Sequence, residues 1–216
     1  YRFQVLVAFM LSSQTKDAVV ANAMRKLQGH GLTIENIHAT DSSTIDNLIQ
    51  KVGFHSKKAG YLKEVAETLI SKYESDIPTV AAEIMELKGI GPKMAYLIEN
   101  VCFGTTSGIG VDSHMHNIFK KLSWVKSKNE KAEQTRQQLE GWLPKEKWGV
   151  VNYLWVGFGQ EIQQQKEMML QKALKSSRPL EALKLLNRVG LNVKKEAKRY
   201  NLEEEVANVY KIANTK

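Results

Sequence analysis

The 216-residue sequence lacks several features that would point to a secreted, membrane-bound or sheet-rich protein. It has a single cysteine, Cys102, so no disulfide can form within the chain and no site made of several thiolates can be assembled. No apolar run approaches the roughly 20 residues that a membrane-spanning helix needs, and we expect no membrane partner. No stretch alternates apolar and polar residues with a period of two. The last of these absences predicts an almost entirely helical chain.

Acidic residues are also scarce relative to basic ones. The sequence has 31 lysines and arginines against 23 aspartates and glutamates, which gives a formal net charge of +8. Such a surplus favours a polyanionic partner, although the number alone also fits an acidic membrane surface or an acidic protein. The surplus is large from residue 166 onward, with twelve basic residues against six glutamates.

The most informative stretch reads Leu-Lys-Gly-Ile-Gly-Pro-Lys-Met-Ala over residues 87–95. Pro92 suits the first position of a helix, where its missing N–H costs nothing. Gly89 and Gly91 lack a Cβ, and this leaves the amides around Ile90 and the helix start open to an anion, which the helix dipole also favours. The spacing therefore predicts a helix, a glycine hairpin and a second helix, with the hairpin as an anion site.

Two charged residues near predicted helix starts are candidates for chemistry. Lys93 lies in the first turn after the hairpin, and it is either a nucleophile activated by nearby positive charge or a surface lysine that touches phosphate. Asp112 follows Val111 and precedes the next helical pattern. It is either an N-cap, worth about 1 kcal/mol, or a carboxylate that stabilises a developing cation or handles a proton. Taken singly, the two residues leave these alternatives open.

Predicted turns hold further candidates. Gln14 follows the first apolar helix, where a turn-forming role is the ordinary interpretation. Phe54 closes a turn and is either a core residue or an apolar wedge between bases. Lys57 opens an amphipathic helix over its following residues. His114 and His116 lie two apart at a helix start, but they match the ligand spacing of no known metal class, so no metal site is predicted.

Together these segments resemble the endonuclease III family of helix-hairpin-helix DNA glycosylases. Residues 87–95 resemble that family's hairpin signature with its catalytic lysine, and residues 111–114 resemble its Val-Asp-Thr-His segment with the catalytic aspartate. The runs at 11–17 and 52–58 resemble two further family segments in the same order. The likeness covers residues 1 to 160 and is closest to the eukaryotic, animal-type branch.

The resemblance implies an all-α helix-hairpin-helix glycosylase fold, with two helical lobes flanking a DNA-binding cleft. It implies a bifunctional DNA glycosylase and AP lyase of base excision repair, in which Lys93 forms a Schiff base and Asp112 assists. The implied partner is double-stranded DNA with oxidised pyrimidine or abasic sites, bound by a monomer in the nucleus, with the mitochondrion as a second location. The residues implied to contact DNA are Gly89, Ile90, Gly91, Gln14, Phe54, Lys57 and His114.

The largest departure from the family is at its [4Fe–4S] cluster. Relatives carry a four-cysteine loop after a segment like 156–160, whereas residues 161–166 read Glu-Ile-Gln-Gln-Gln-Lys and supply no thiolate. We expect no cofactor, a basic helical tail over 161–216, and a glycosylase core over 1–160 with its hairpin at 79–101. Because the chain opens inside an apparent helix, we also expect part of the family's N-terminal region to be missing. The alternative function is a non-catalytic helix-hairpin-helix DNA-binding module.

Overall fold

The computed structural model describes residues 1–126 and 131–214, and every regular element in these two ranges is helical. The predicted all-α class is confirmed. The chain divides into two compact units, Tyr1–Gly110 and Val111–Lys216. Across the two described ranges, no helix is both long enough and apolar enough to span a membrane.

The first unit is built around one apolar helix. Helix α1 packs against α2, α5 and α7, and its buried side chains belong to one core with buried residues of all three. The continuous apolar run near the start of the sequence predicts such a central helix. The helices of this unit are α1 (Arg2–Ser12), α2 (Asp17–His30), α3 (Ile34–Ala39), α4 (Ser42–Leu48), α5 (His55–Lys72), α6 (Ala81–Ile84) and α7 (Pro92–Phe103).

In the second unit, residues before 160 and residues of the basic tail share one apolar core. Leu122 and Ile162 pack with Leu170, Leu183 and Val193 of the tail. The predicted boundary after residue 160 therefore falls within a helix of this unit and not between the two units. Its helices are α8 (Ser113–Leu122), α9 (Ala132–Glu140), a short 3-10 helix (Lys145–Lys147), α10 (Trp148–Gln164), α11 (Lys166–Leu174), α12 (Pro179–Val189), α13 (Val193–Arg199) and α14 (Glu203–Asn214).

Helix α10 corrects one expectation from apolar spacing. The spacing of Trp148, Val151, Leu154 and Trp155 predicts a core stripe. Val151 is buried, and the ring of Trp155 packs edge-on against Phe119 with centroids 5.1 Å apart. Leu154, however, is 66% exposed, so the prediction is wrong there. The buried row of α10 continues from Trp155 toward its C-terminal end, and Leu154 lies beyond the edge of that row.

A buried histidine ties α8 to α9. The Nδ1 atom of His116 lies 2.7 Å from Oγ1 of Thr135, which has no exposed surface. Burial lowers the pKa of His116, and Lys120 lowers it further. The ring therefore belongs to the packing of this unit. The described ranges contain no group of three or more His, Cys, Asp or Glu side chains that could hold a metal ion.

The stability of the protein should fall as the pH drops below about 6.5, the ordinary pKa of histidine. Because the folded-state pKa of His116 is lower, the unfolded chain takes up a proton first, and the loss levels off below the folded-state pKa. His116→Gln, which keeps a hydrogen-bonding group beside Thr135, should remove this part of the pH dependence. Urea unfolding at about pH 7.5 and 5.5 measures it, with the exposed His38→Gln as the matched control. If the free energy of unfolding of His116→Gln changes between the two pH values as much as that of the unaltered chain, His116 is not the source of the pH dependence.

Candidate functional site

The glycine hairpin is a sharp turn packed against helix α5. Leu87 and Ile90 are buried and anchor it, and the N–H of Ile90 donates to the carbonyl of Leu87 at 3.1 Å. Gly89 has a φ of +81°, and a Cβ on it would lie 2.6 Å from Cδ2 of Tyr61. Only glycine satisfies both conditions, because the left-handed backbone and the close ring each exclude a side chain. The turn is therefore fixed by its contact with α5.

Helix α7 begins directly after this turn with an open N-terminus. Gly91 is the N-cap residue, its carbonyl accepts from the N–H of Ala95 at 3.0 Å, and Pro92 occupies the first turn as predicted. Within the described part of the chain, the N–H groups of Gly89 and Gly91 have no acceptor. Of the three predicted amide donors, Ile90 is thus engaged inside the hairpin, and the two glycine amides remain for an anion.

Lys93 lies in the first turn of α7, half-buried, at the positive end of the helix dipole. The backbone that leads toward Asp112 runs close beside it. A Cβ on Gly110 would lie 3.1 Å from the carbonyl oxygen of Lys93 and 3.0 Å from Cγ of Leu97. The absence of a side chain at residue 110 is what permits this approach.

The carboxylate of Glu99 holds the hairpin helices and the following loop together. Glu99 is buried on α7, and its Oε1 accepts from the N–H of Ala81 at 3.2 Å, the first residue of α6. Its Oε2 accepts from the N–H and the hydroxyl of Ser107, at 2.8 and 2.7 Å. One buried anion therefore ties the start of α6, the middle of α7 and the loop after α7, and its polar atoms are satisfied in doing so.

Asp112 lies in the second unit, so the two candidate catalytic residues belong to different units. It is the N-cap of α8, and its Oδ1 accepts from the N–H of Met115 at 2.8 Å. The capping interpretation is thus confirmed. The capping bond does not test the catalytic interpretation of Asp112, which stays a prediction. His114 lies in the first turn of the same helix and is exposed.

Gln14 and Phe54 lie on two turns that meet. Both residues are left-handed, with φ angles of 51° and 57°, and both side chains are exposed, Phe54 by 59%. The core interpretation of Phe54 is therefore wrong, and the wedge interpretation is the one compatible with its exposure. The N–H of Gly53 donates to Oγ1 of Thr15 at 3.1 Å, so a hydrogen bond from backbone to side chain joins the two turns.

A small cavity of about 160 Å³ connects the second of these turns to the hairpin. It brings together three of the residues predicted to contact DNA, namely Phe54, Lys57 and Gly89. The remaining lining residues are Met10, Ser13, Lys58 and Tyr61. The first unit thus gathers three of its seven predicted site residues around one depression.

The side chains present do not fit an iron-sulfur cluster. Cys102 is the single thiol of the chain, whereas such a cluster needs four thiolates. Its Sγ lies 4.0 Å from the carbonyl of Arg2, and burial raises its pKa, which disfavours the thiolate. Where the family's cysteine loop is expected, residues 161–166 instead complete α10 and begin α11.

Residues 7–145 match the family described as HhH-GPD superfamily base excision DNA repair protein. The chain belongs to this family. Within it, the relationship is to endonuclease III. Endonuclease III-like protein 1 of Mus musculus is 50% identical over 161 residues, which make up 74% of this chain and 54% of that protein. The chain therefore spans about half the length of the curated relatives it matches.

Solved structures of the family extend the likeness to the fold. A trapped endonuclease III–DNA covalent intermediate has a TM-score of 0.65 and 28% identity, and the match covers 69% of each chain. A Helicobacter pylori 3-methyladenine DNA glycosylase bound to 1,N6-ethenoadenine has a TM-score of 0.56 at 16% identity and covers 92% of this chain and 85% of that one. The latter shows the fold alone, but its coverage extends well into the tail.

Two residues that position these turns, Thr15 and Lys58, lie in the family-like runs 11–17 and 52–58 but are not among the predicted site residues. Both contact the turn that holds Gln14. A signal for Lys58 does exist in the sequence, because it falls on the apolar face of α5, in register with Leu62 and Val65. A lysine on a buried face indicates a specific set of polar partners.

Alanine substitutions at Gly89 and Gly91 should differ in their effect on stability, because Gly89 forms the tight turn whereas Gly91 is the N-cap of α7. Gly89→Ala meets Tyr61 and a left-handed backbone, so it should destabilise the protein by about 1–3 kcal/mol. Gly91→Ala meets no atom within 4 Å and should cost less than about 1 kcal/mol, the penalty of alanine at an N-cap. Denaturant unfolding of both variants measures the difference. Equal losses would contradict this description of the hairpin.

Proposed function

We propose that this chain is a bifunctional DNA glycosylase and AP lyase of base excision repair. It removes oxidised pyrimidines of the thymine glycol type through a lysine Schiff base and cuts the strand by β-elimination. Its partner is duplex DNA that carries an oxidised pyrimidine or an abasic site. It acts as a monomer in the nucleus, and also in the mitochondrion.

The observation that carries the proposal is the position of Lys93. It is a half-buried amine in the first turn of a helix whose N-terminus is opened by a glycine hairpin. Its relative endonuclease III has been trapped as a covalent intermediate with DNA. A lysine beside a phosphate site is placed to act on the sugar attached to that phosphate.

The first step is binding of the DNA backbone, which the positive ends of the helices favour. The amides of Gly89 and Gly91 hold a backbone phosphate next to the lesion, helped by the positive end of α7. A base inside the stack is out of reach of any side chain, so the damaged nucleotide turns out of the duplex. Gln14 fills the vacated space and Phe54 enters between neighbouring bases, which lowers the cost of unstacking. Lys57 contributes a phosphate contact beside them.

The chemistry then runs through two side chains. The neutral amine of Lys93 attacks C1′ of the sugar, the new C–N bond forms as the bond to the base breaks, and the base leaves with a proton. Asp112 stabilises the cationic sugar or carries the proton of the amine. Ring opening gives an imine between Lys93 and C1′. Loss of the C2′ proton then expels the 3′ phosphate, which cuts the strand, and water releases the lysine.

A second candidate function is a helix-hairpin-helix module that binds DNA without catalysis. The chain's single cysteine favours it, because the family's cluster and the DNA contacts of its loop have no counterpart here. Such a module would bind mainly through phosphates, so its affinity would fall steeply between about 50 and 200 mM salt and would show little preference for damaged DNA.

Borohydride trapping decides between the two functions. The imine is reduced to a stable amine, so the unaltered chain should form a covalent adduct with duplex DNA carrying thymine glycol or an abasic site. Lys93→Gln should form none. Asp112→Asn should slow adduct formation about a hundredfold or more, and its fold should persist because asparagine caps helices as well as aspartate does.

Lys88→Gln is the matched control for the nucleophile. Lys88 is an exposed lysine of the same hairpin, with its amine 5.8 Å from the ring centre of Tyr61. Its substitution should leave the adduct in place. A folded, DNA-binding chain that forms no adduct would overturn the proposal and favour the binding module. Adduct from Lys93→Gln would assign the nucleophile to another amine.

A further inference from the structure

Lys58 is a buried lysine whose partners are all uncharged oxygens. Its side chain enters the first unit from α5, and the residue is 5% exposed. Its Nζ donates to the carbonyls of Leu11 and Ser13, at 2.8 and 2.7 Å, and lies 3.5 Å from Oγ1 of Thr15. Burial lowers its pKa. The ammonium therefore spans the last turn of α1 and the loop that follows it.

This arrangement is costly as a source of stability alone. Burying an ammonium is unfavourable, and the cost is offset here by three oxygens and by the negative end of α1. Replacement of buried charged groups by well-packed apolar ones is often neutral or stabilising in other proteins. What an apolar side chain at this position could not do is fix the direction of three separate acceptors.

The loop held by Lys58 is the one that presents Gln14. Gln14 lies between Ser13 and Thr15, in a left-handed conformation that non-glycine residues rarely adopt. The hydroxyl of Thr15 donates to the carbonyl of Ser13 at 3.2 Å. Gln14 is thus flanked on both sides by atoms that Lys58 contacts, and its unusual backbone is maintained by these neighbours.

The same loop controls the position of Phe54. The N–H of Gly53 donates to Oγ1 of Thr15, and a Cβ on Gly53 would lie 2.6 Å from the carbonyl oxygen of Gln14. The two backbones are therefore in contact, 38 residues apart in the chain. A shift of the loop at 13–15 would move Phe54 with it.

We propose that Lys58 is a positioning residue for DNA. By holding the loop at 13–15, and through Thr15 and Gly53, it sets the spacing between Gln14 and Phe54. This inference rests on the proposed function, in which both side chains enter the duplex. Their spacing decides whether they fit the stack when the damaged nucleotide leaves it.

The test is single-turnover excision of thymine glycol from a fully paired duplex by Lys58→Met. A displacement of about 1 Å in a positioning contact costs about a hundredfold in rate, and we expect a loss of that order. The loss should be much smaller when the base opposite the lesion is mispaired, because such a nucleotide leaves the stack at less cost. A purely structural defect would slow excision from both duplexes equally.

Lys63→Met is the matched control. Lys63 lies on the same helix, and its amine also donates to two carbonyls, those of His38 and Thr40, the latter at 2.7 Å. These carbonyls belong to the end of α3 and not to either DNA turn. The substitution removes the same kind of contact and should leave excision from both duplexes unchanged.

A double-mutant comparison tests whether Lys58 acts through the two side chains. In a Gln14→Ala, Phe54→Ala background, Lys58→Met should slow excision by less than about twofold, since the groups that it positions are gone. If Lys58→Met fails to fold, Thr15→Val takes its place. It removes the bridging hydroxyl at nearly constant volume. It should slow excision more from the fully paired duplex than from the mispaired one, and it should have little effect in the Gln14→Ala, Phe54→Ala variant.

The outcomes separate this inference from the function on which it rests. If the unaltered chain excises no base and forms no adduct, the proposed function fails, and this inference with it. If the unaltered chain is active but the effect of Lys58→Met is the same in both duplexes, or persists in full in the background variant, the inference alone is overturned.

Discussion

The packing of one apolar helix determines where the candidate site of the first unit lies. Helix α1 is surrounded by α2, α5 and α7, and each of these begins directly after a turn with predicted site residues. Gln14 precedes α2, Phe54 precedes α5, and the hairpin precedes α7. Because helix starts carry partial positive charge, each of these turns lies where an anion is attracted. The depression is lined by Ser13, Phe54 and Gly89, so all three turns contribute to it.

Two buried charged side chains connect segments of the first unit. The positive one lies at a helix C-terminus and the negative one at a helix N-terminus, so each has the sign that the helix dipole favours. Lys58 lies at the C-terminal end of α1, where carbonyl oxygens are unpaired, and Glu99 accepts from the first amide of α6. Both bind backbone groups of other segments, and within the described ranges neither pairs with a residue of opposite charge. Backbone partners fix the course of a loop, whereas an ion pair between side chains fixes only the side chains. The unit thus uses charge to set the shape of its turns.

Local features of this protein are predictable from sequence, and its long-range contacts are not. The helix start at Pro92 and the N-cap at Asp112 follow from neighbouring residues, and the structure agrees with both. The junction between Gln14 and Gly53 joins turns far apart in the chain, so no local pattern indicates it. The apolar spacing of α5 indicates that Lys58 is buried, but its partners, the carbonyls of Leu11 and Ser13, depend on α1 packing over α5, which no local pattern specifies. The helix before the glycine hairpin is only Ala81–Ile84, whereas apolar spacing predicts that it continues to Leu87, and residues 85–89 instead turn into the hairpin.

The tail holds helix α8, which begins after Asp112, in the second unit through apolar packing and hydrogen bonds. Helix α8 packs against α12, with Leu122 in the shared core and the guanidinium of Arg188 donating to Oγ of Ser123 at 2.8 Å. The amine of Lys121 also lies 3.5 Å from the carbonyl of Val189. Among the described residues of the tail, the basic side chains other than Lys166 are exposed, while the buried apolar residues continue the core of α8 and α10. The orientation of α8 within its unit therefore depends on helix packing, and it requires none of the thiolates that this chain lacks.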